Sequence, residues 1–179
     1  CFGAMIQLLA GDESVYIVAE LLTTIFQCIS LIGAPAASPA VLGQLMSFLP
    51  GCTEQLIERV TSRQSADEND EFIEEEEEEE AEESDENLTD SLAHICHVLF
   101  QALKADFLPY FEQFLPQLTA LLGGVPDLKE LGLGIVNDLI EYTGPASAKY
   151  ISIFGDIMIQ NITSDNARLR QAAIYGVGV

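Results

Sequence analysis

The fold is decided by the stretch LGLGIVNDLIEYTGP, residues 131–145. Leu131, Ile135 and Leu139 recur every four residues, and Leu128 and Tyr142 extend the stripe on either side. That spacing follows the 3.6-residue helical period and puts one apolar face on an otherwise polar helix. Gly144-Pro145 then closes the helix, because glycine accepts the left-handed turn and proline cannot continue the hydrogen-bond ladder. Forty residues earlier, Ile95 and Leu99 stand where Ile135 and Leu139 do, and thirty-eight residues later Leu169 and Ala173 stand where Leu131 and Ile135 do. A helix-turn-helix unit repeating near forty residues leaves an apolar face bare until its neighbours stack on it, which is the signature of an α-solenoid.

The rest of the chain has the same periodicity. Val15, Val18, Leu22, Ile25, Ile29 and Ile32 form one stripe, ended by Gly33 and Pro35. A second helical segment runs over about 39–62, where Pro50-Gly51 is expected to kink or break it. Leu88, Leu92, Ile95, Leu99 and Leu103 form a stripe. Phe107, Phe111, Phe114, Leu118 and Leu121 form the next, with Pro109 and Pro116 read as first-turn and kink prolines. Tyr150, Phe154, Ile157 and Met158 mark a further helix, and the last begins near Asp165. No segment alternates polar and apolar residues long enough for a strand. The connections are short, so sequential helices are expected to pair antiparallel.

The charge is unevenly spread. The formal net charge is −22, but the 15 acids between Asp67 and Glu86 stand without one Lys or Arg. Outside that block 14 acids face 7 bases, an ordinary surface. Seven scattered bases cannot neutralise a phosphate track, so no direct nucleic-acid contact is expected. A basic protein partner fits better. Cys1, Cys28, Cys52 and Cys96 are widely spaced, as reduced thiols of a cytosolic or nuclear protein are. The apolar run Leu21–Ala37, interrupted by Gln27, Gly33 and Pro35, reads as too broken for membrane insertion. The chain lacks an initiator Met and stops inside a helical pattern, which reads as an internal piece of a longer protein.

SDNARLRQAAIYGVGV, residues 164–179, resembles the first helix of a HEAT repeat, with Leu169, Arg170, Ala172 and Ala173 on the pattern. The small residues admit a close neighbouring helix, and the arginine can bond back to the turn. Ser164 stands where the pattern has an Asp, and Asp165 is one position late. LPYFEQFLPQL (108–118), GLGIVNDLIEYTGPASAKY (132–150) and LRQAAIYGVGV (169–179) follow, with the acidic insertion ahead of them. On these motifs the chain from Leu92 onward is similar to the importin subunit beta-3 (importin-5) class of karyopherins. The resemblance implies a nuclear import receptor that shuttles between cytoplasm and nucleus. Such a receptor carries protein cargo through the pore, meets nucleoporins, and releases cargo on binding Ran-GTP.

The expected fold class is therefore an all-α HEAT-repeat solenoid, a right-handed superhelix of antiparallel helix pairs with an acidic, disordered insertion. The expected organisation is HEAT helices over 1–62, an acidic and largely disordered insertion over 63–87, and about two and a half HEAT repeats over 88–179. Glu74, Glu75, Glu76, Glu77, Glu78, Glu79, Glu80, Glu82 and Glu83 are candidate contacts for basic partners such as nuclear localisation signals, histones or ribosomal proteins. Like charges this dense repel, though a polyglutamate helix forms when its charge is neutralised. Ser65 and Ser84, with acids just downstream, fit a phospho-acceptor pattern. On the second helices of the hairpins, which line the concave face of such solenoids, Glu112, Gln113, Gln117, Asp156 and Gln160 are candidate contacts.

No catalytic constellation, cofactor site or metal site is expected. His94 and His97 share a helix face but have no second ligand pair, and Asp138 with Glu141 reads as a solvated face. Two other readings stand beside the receptor: a HEAT scaffold subunit of an enzyme complex, and an acidic binder of the histone-chaperone kind.

Overall fold

A computed structural model describes residues 2–9, 14–68 and 75–179. Every regular element among them is helical. The chain divides into two compact units, Cys1–Ile95 and Cys96–Val179. The first holds α1 (Phe2–Leu9), α2 (Val15–Ile32), α3 (Pro39–Glu68) and most of α4 (Glu75–Leu103). The second takes the end of α4, then α5 (Leu108–Phe111), α6 (Leu115–Gly123), α7 (Pro126–Thr143), α8 (Ala148–Asn161) and α9 (Ala167–Gly178).

In the first unit α1 packs on both α2 and α3. The middle of the predicted stripe of α2 is its buried face: Val18, Leu22, Ile25 and Ile29 go inside with Ala19 beside them, while Val15 at its start is half-buried and Ile32 at its end is exposed. Ser91 on α4 donates to the Ala19 carbonyl (3.2 Å) and lies 3.1 Å from the Thr23 hydroxyl, so two small polar residues set α2 close to α4. Phe26 stacks on His94 with centroids 5.0 Å apart. The apolar window is longer than the sequence reading took it to be. It begins at Val15 and gives an 18-residue helix of mean hydropathy 1.9, long and apolar enough by composition to cross a bilayer. Here its stripe is spent on the core of the first unit.

Pro50-Gly51, expected to kink or break the helix, does not break it, and α3 continues through Pro50. Proline removes one donor to the carbonyl four residues back, and the apolar contacts of Leu45, Met46, Leu49 and Leu56, all essentially buried, outweigh that loss. Of the stretch 63–87, expected as an acidic insertion, the described residues lie in helices. Residues 63–68 finish α3 and residues 75–87 begin α4, while 69–74 fall outside the described residues.

In the second unit Phe100, Phe107, Phe111 and Phe114 form a buried chain of rings with neighbouring centroids 4.8–5.8 Å apart. Edge-on aromatic pairs of this kind add about 0.5–1.5 kcal/mol beyond their burial. The stripe Phe107–Leu121, expected as one helix, is instead α5 and α6 joined by a 3-10 turn at Glu112–Phe114. Pro109 and Pro116 each sit in the first turn of their own helix, where a missing N–H costs nothing. Gly132 is buried against α6 so closely that a Cβ there would press on Leu122 Cδ2 at 3.0 Å. At Gly176 a Cβ would overlap the Asn137 amide oxygen and the Met158 methyl. Asn137 donates to the Ala172 carbonyl (3.0 Å), so α7 and α9 touch almost backbone to backbone. Arg170 donates to the carbonyls of Ser164 (2.6 Å) and Asp165 (3.4 Å), closing the turn before α9 as its sequence position suggested.

The first helices of three hairpins end alike. Gly33 (φ 75°), Lys104 (φ 52°) and Gly144 (φ 52°) follow or close α2, α4 and α7, and each leads into a short 3-10 turn before the second helix. Lys104 is the non-glycine member of this set.

Candidate functional site

The acidic segment is built on α4. Glu79, Glu80, Glu82 and Glu83 are exposed; the side chains of Glu75 to Glu78 and all of Glu74 lie outside the described residues. Acids near a helix N-terminus are favoured by the peptide dipoles, which offsets part of their mutual repulsion. The root of the segment is different in kind. Asp85, the next acid after Glu83, is buried, its side chain only 6% exposed. It accepts from Arg59 Nε at 2.8 Å and is ion-paired with Arg63 as well. Arg59 and Arg63 stand one turn apart on α3 and are the only bases in the first 103 residues. Both are thus committed to one carboxylate, while Glu79, Glu80, Glu82 and Glu83 ahead of it face solvent.

Sequence reasoning counted Asp85 with the solvated block and gave the two arginines no role. A signal was present: the only i, i+4 pair of bases in an acidic half-chain, on a helix next to the block. Leu88, three residues past Asp85, continues the buried stripe of α4, so Asp85 is its first buried position among the described side chains.

Of the second-helix candidates, Glu112 lies in the turn between α5 and α6 and is engaged. It accepts from Lys149 and from the Tyr150 hydroxyl (3.2 Å) of the following hairpin. The Lys149 hydrogen bond, then that of Tyr150, holds the Glu112 carboxyl below the usual range, and the same contact raises Lys149. The stabilisation is present above the ordinary glutamate range and lost as pH falls through the lowered value. Gln113 is exposed beside it. Gln117 on α6 is half-buried, with its amide oxygen enclosed. Asp156 and Gln160 are exposed one turn apart on α8. The structure brings Glu112 to α8 through Lys149 and Tyr150, partners the sequence reading did not name.

The histidines and Glu141 have local partners. His94 donates to the Asp90 carbonyl (2.7 Å). His97 donates to Asp138 (2.9 Å) and meets Tyr142 edge-on. Glu141 accepts from Tyr175 (2.6 Å). Burial pushes the Cys52 and Cys96 thiols up to about 12, so neither is a nucleophile at neutral pH. Among the described residues no group of three or more His, Cys, Asp or Glu side chains is arranged to hold a metal ion.

Each unit thus carries exposed carboxylates of its own on helical hairpins. Residues 17–124 match the importin repeat 6 family. The chain belongs to that family. It is also similar to importin subunit beta-3 of Saccharomyces cerevisiae, at 28% identity over 141 residues, 76% of this chain and 13% of that protein. Among solved structures, a mutant of Kap121p superposes with a TM-score of 0.85 at 22% identity, over 99% of this chain and 16% of that one. Kap121p bound to Pho4p gives 0.80 over 97% and 16%, and Kap121p bound to Nup53p gives 0.81 over 97% and 15%, both at 22% identity. The chain thus spans about one seventh of the length of these importin relatives. The fold is the all-α HEAT solenoid of the karyopherins, as the forty-residue period required. The family is one of transport receptors.

Proposed function

We propose that this chain is part of a nuclear transport receptor whose work is binding and not catalysis. The observation that carries this is the importin repeat match over 17–124, which spans the acidic segment and the hairpins on either side of it. The stretch 63–87 acts as an acidic insertion between two sets of HEAT helices, 1–62 and 88–179. Its exposed glutamates attract basic cargo, such as localisation signals, histones or ribosomal proteins, and raise the rate of encounter. Glu112, Gln113, Gln117, Asp156 and Gln160 contact cargo from the second helices. Ran-GTP displaces cargo by favouring a different curvature, a differential-affinity switch. Nucleoporins carry the receptor between cytoplasm and nucleus. Structures of Kap121p with Pho4p and with Nup53p support receptor and pore partners for relatives of this fold.

Two experiments test this. Immobilised Ran-GTP should retain the full-length parent protein, and Ran-GDP should not; equal retention by both, or by neither, sinks the receptor reading. Deleting residues 67–86 should lower affinity for a Lys/Arg-rich cargo peptide and flatten its salt dependence. An unchanged salt slope would reduce the insertion to a spacer.

A further inference from the structure

Building on the cargo-binding reading, on which it rests, we propose that Glu112 and Tyr150 form a site for the ammonium group of a lysine, and that Lys149 of this same chain fills it. A lysine of a basic partner then enters by displacing Lys149. All three residues lie in the second unit. Lys149 Nζ donates to Glu112 Oε1 and stands 4.7 Å from the centroid of the Tyr150 ring. A carboxylate and an aromatic face together hold an ammonium ion, the first by its charge and the second by its quadrupole. The Tyr150 hydroxyl donates to the same Oε1 at 3.2 Å and fixes the carboxylate beside the ring.

The two halves of this arrangement differ in freedom. Tyr150 is 2% exposed and belongs to the core, so its ring and hydroxyl stay in place. Glu112 is tied to it from the turn between α5 and α6. Lys149 is 58% exposed, on a flexible four-carbon stem in the first turn of α8. Exposed ion pairs are weak, so a second ammonium replaces Lys149 at little cost. Both bonds fall on Oε1, and the carboxylate is itself half exposed, so Oε2 can take the incoming ammonium while Lys149 leaves. Lys149 is thus a resident competitor that lowers the affinity of one acidic contact, and Tyr150 supplies that contact with a preference for a cation.

The test is a titration of the full chain, its tyrosine rings labelled with carbon-13, with acetyl-Gly-Lys-Gly-amide. This peptide carries one ammonium group and gains little from the glutamate run; the Tyr150 ring signals report the site. Lys149→Met keeps the stem and empties the site, so it should tighten binding about three- to tenfold, as the loss of one exposed pair with a ring contact implies. Lys129→Met removes the same charge from α7 and should leave the affinity as it was. In the Lys149→Met chain, Glu112→Gln should abolish the response, and so should acetylation of the peptide's lysine. If Lys149 only staples the two hairpins together, Lys149→Met lowers Tm and leaves the Tyr150 signals indifferent to the peptide. That result, an affinity unchanged or weakened by Lys149→Met, or a gain that survives Glu112→Gln would overturn the proposal. The Ran-GTP and deletion experiments do not read this site, so the transport reading and the lysine site can fail separately.

Discussion

Asp85 occupies a place in the sequence where every neighbouring acid is expendable, yet it is buried between two guanidinium groups. Removing one member of a buried ion pair leaves uncompensated charge, and here it would leave two arginines one turn apart with nothing between them. Asp85→Ala is expected to lower stability by about 2–4 kcal/mol, the lower end reflecting the partial exposure of both arginines. Glu83→Ala, two residues away and exposed, should stay within about 0.5 kcal/mol. Urea unfolding followed by circular dichroism measures both. Equal effects from the two would show that the pairing contributes nothing. Asp85 was not legible as a core residue, because its partners lie 22 and 26 positions back and composition alone assigns it to the charge run.

At the scale of elements, the three hairpin turns state a common requirement and one exception. Gly33 and Gly144 take positive φ without strain, while Lys104 does so with a Cβ in place. A left-handed L-residue costs about 1–2 kcal/mol. Lys104→Gly should therefore stabilise the protein by about 1 kcal/mol, and Gly144→Ala should destabilise it by at least that much; thermal melts would show opposite shifts in Tm. Helix existence was legible wherever an apolar stripe was long, as in α2, α7 and α8. Ends set by Gly-Pro pairs were legible too. The division of 107–121 into α5 and α6 was not, because Pro109 and Pro116 fit either a kink or a fresh first turn. A helical glutamate run is one of the two readings the sequence allows, but nothing in it points to the Arg59–Asp85–Arg63 anchor at the root of α4. For the candidate contacts, the sequence placed Glu112 on the right segment but gave no sign of Lys149, thirty-seven positions on.

The whole molecule carries a net charge of −22 on 179 residues, most of the excess in one segment. Self-repulsion at this density destabilises the compact state and is screened by salt. Raising NaCl from about 0.02 M to about 0.2 M, where the Debye length falls from roughly 20 to 7 Å, should raise Tm by a few degrees. A variant with Glu79, Glu80, Glu82 and Glu83 changed to Gln should show a smaller rise. An identical salt response in both would place the repulsion elsewhere on the surface.

The scarcity of bases also decides how the chain is cut. Trypsin needs a Lys or Arg in an extended, accessible stretch, and the first 103 residues offer it only Arg59 and Arg63, both in mid-helix and gripped by Asp85. The next basic residue, Lys104, is exposed at a turn. Brief digestion of the native protein should therefore release residues 1–104 as one long-lived fragment. With Asp85→Ala the trypsin-resistant half should fall apart at the two arginines, so that a single carboxylate serves as the lock on half the molecule against that enzyme.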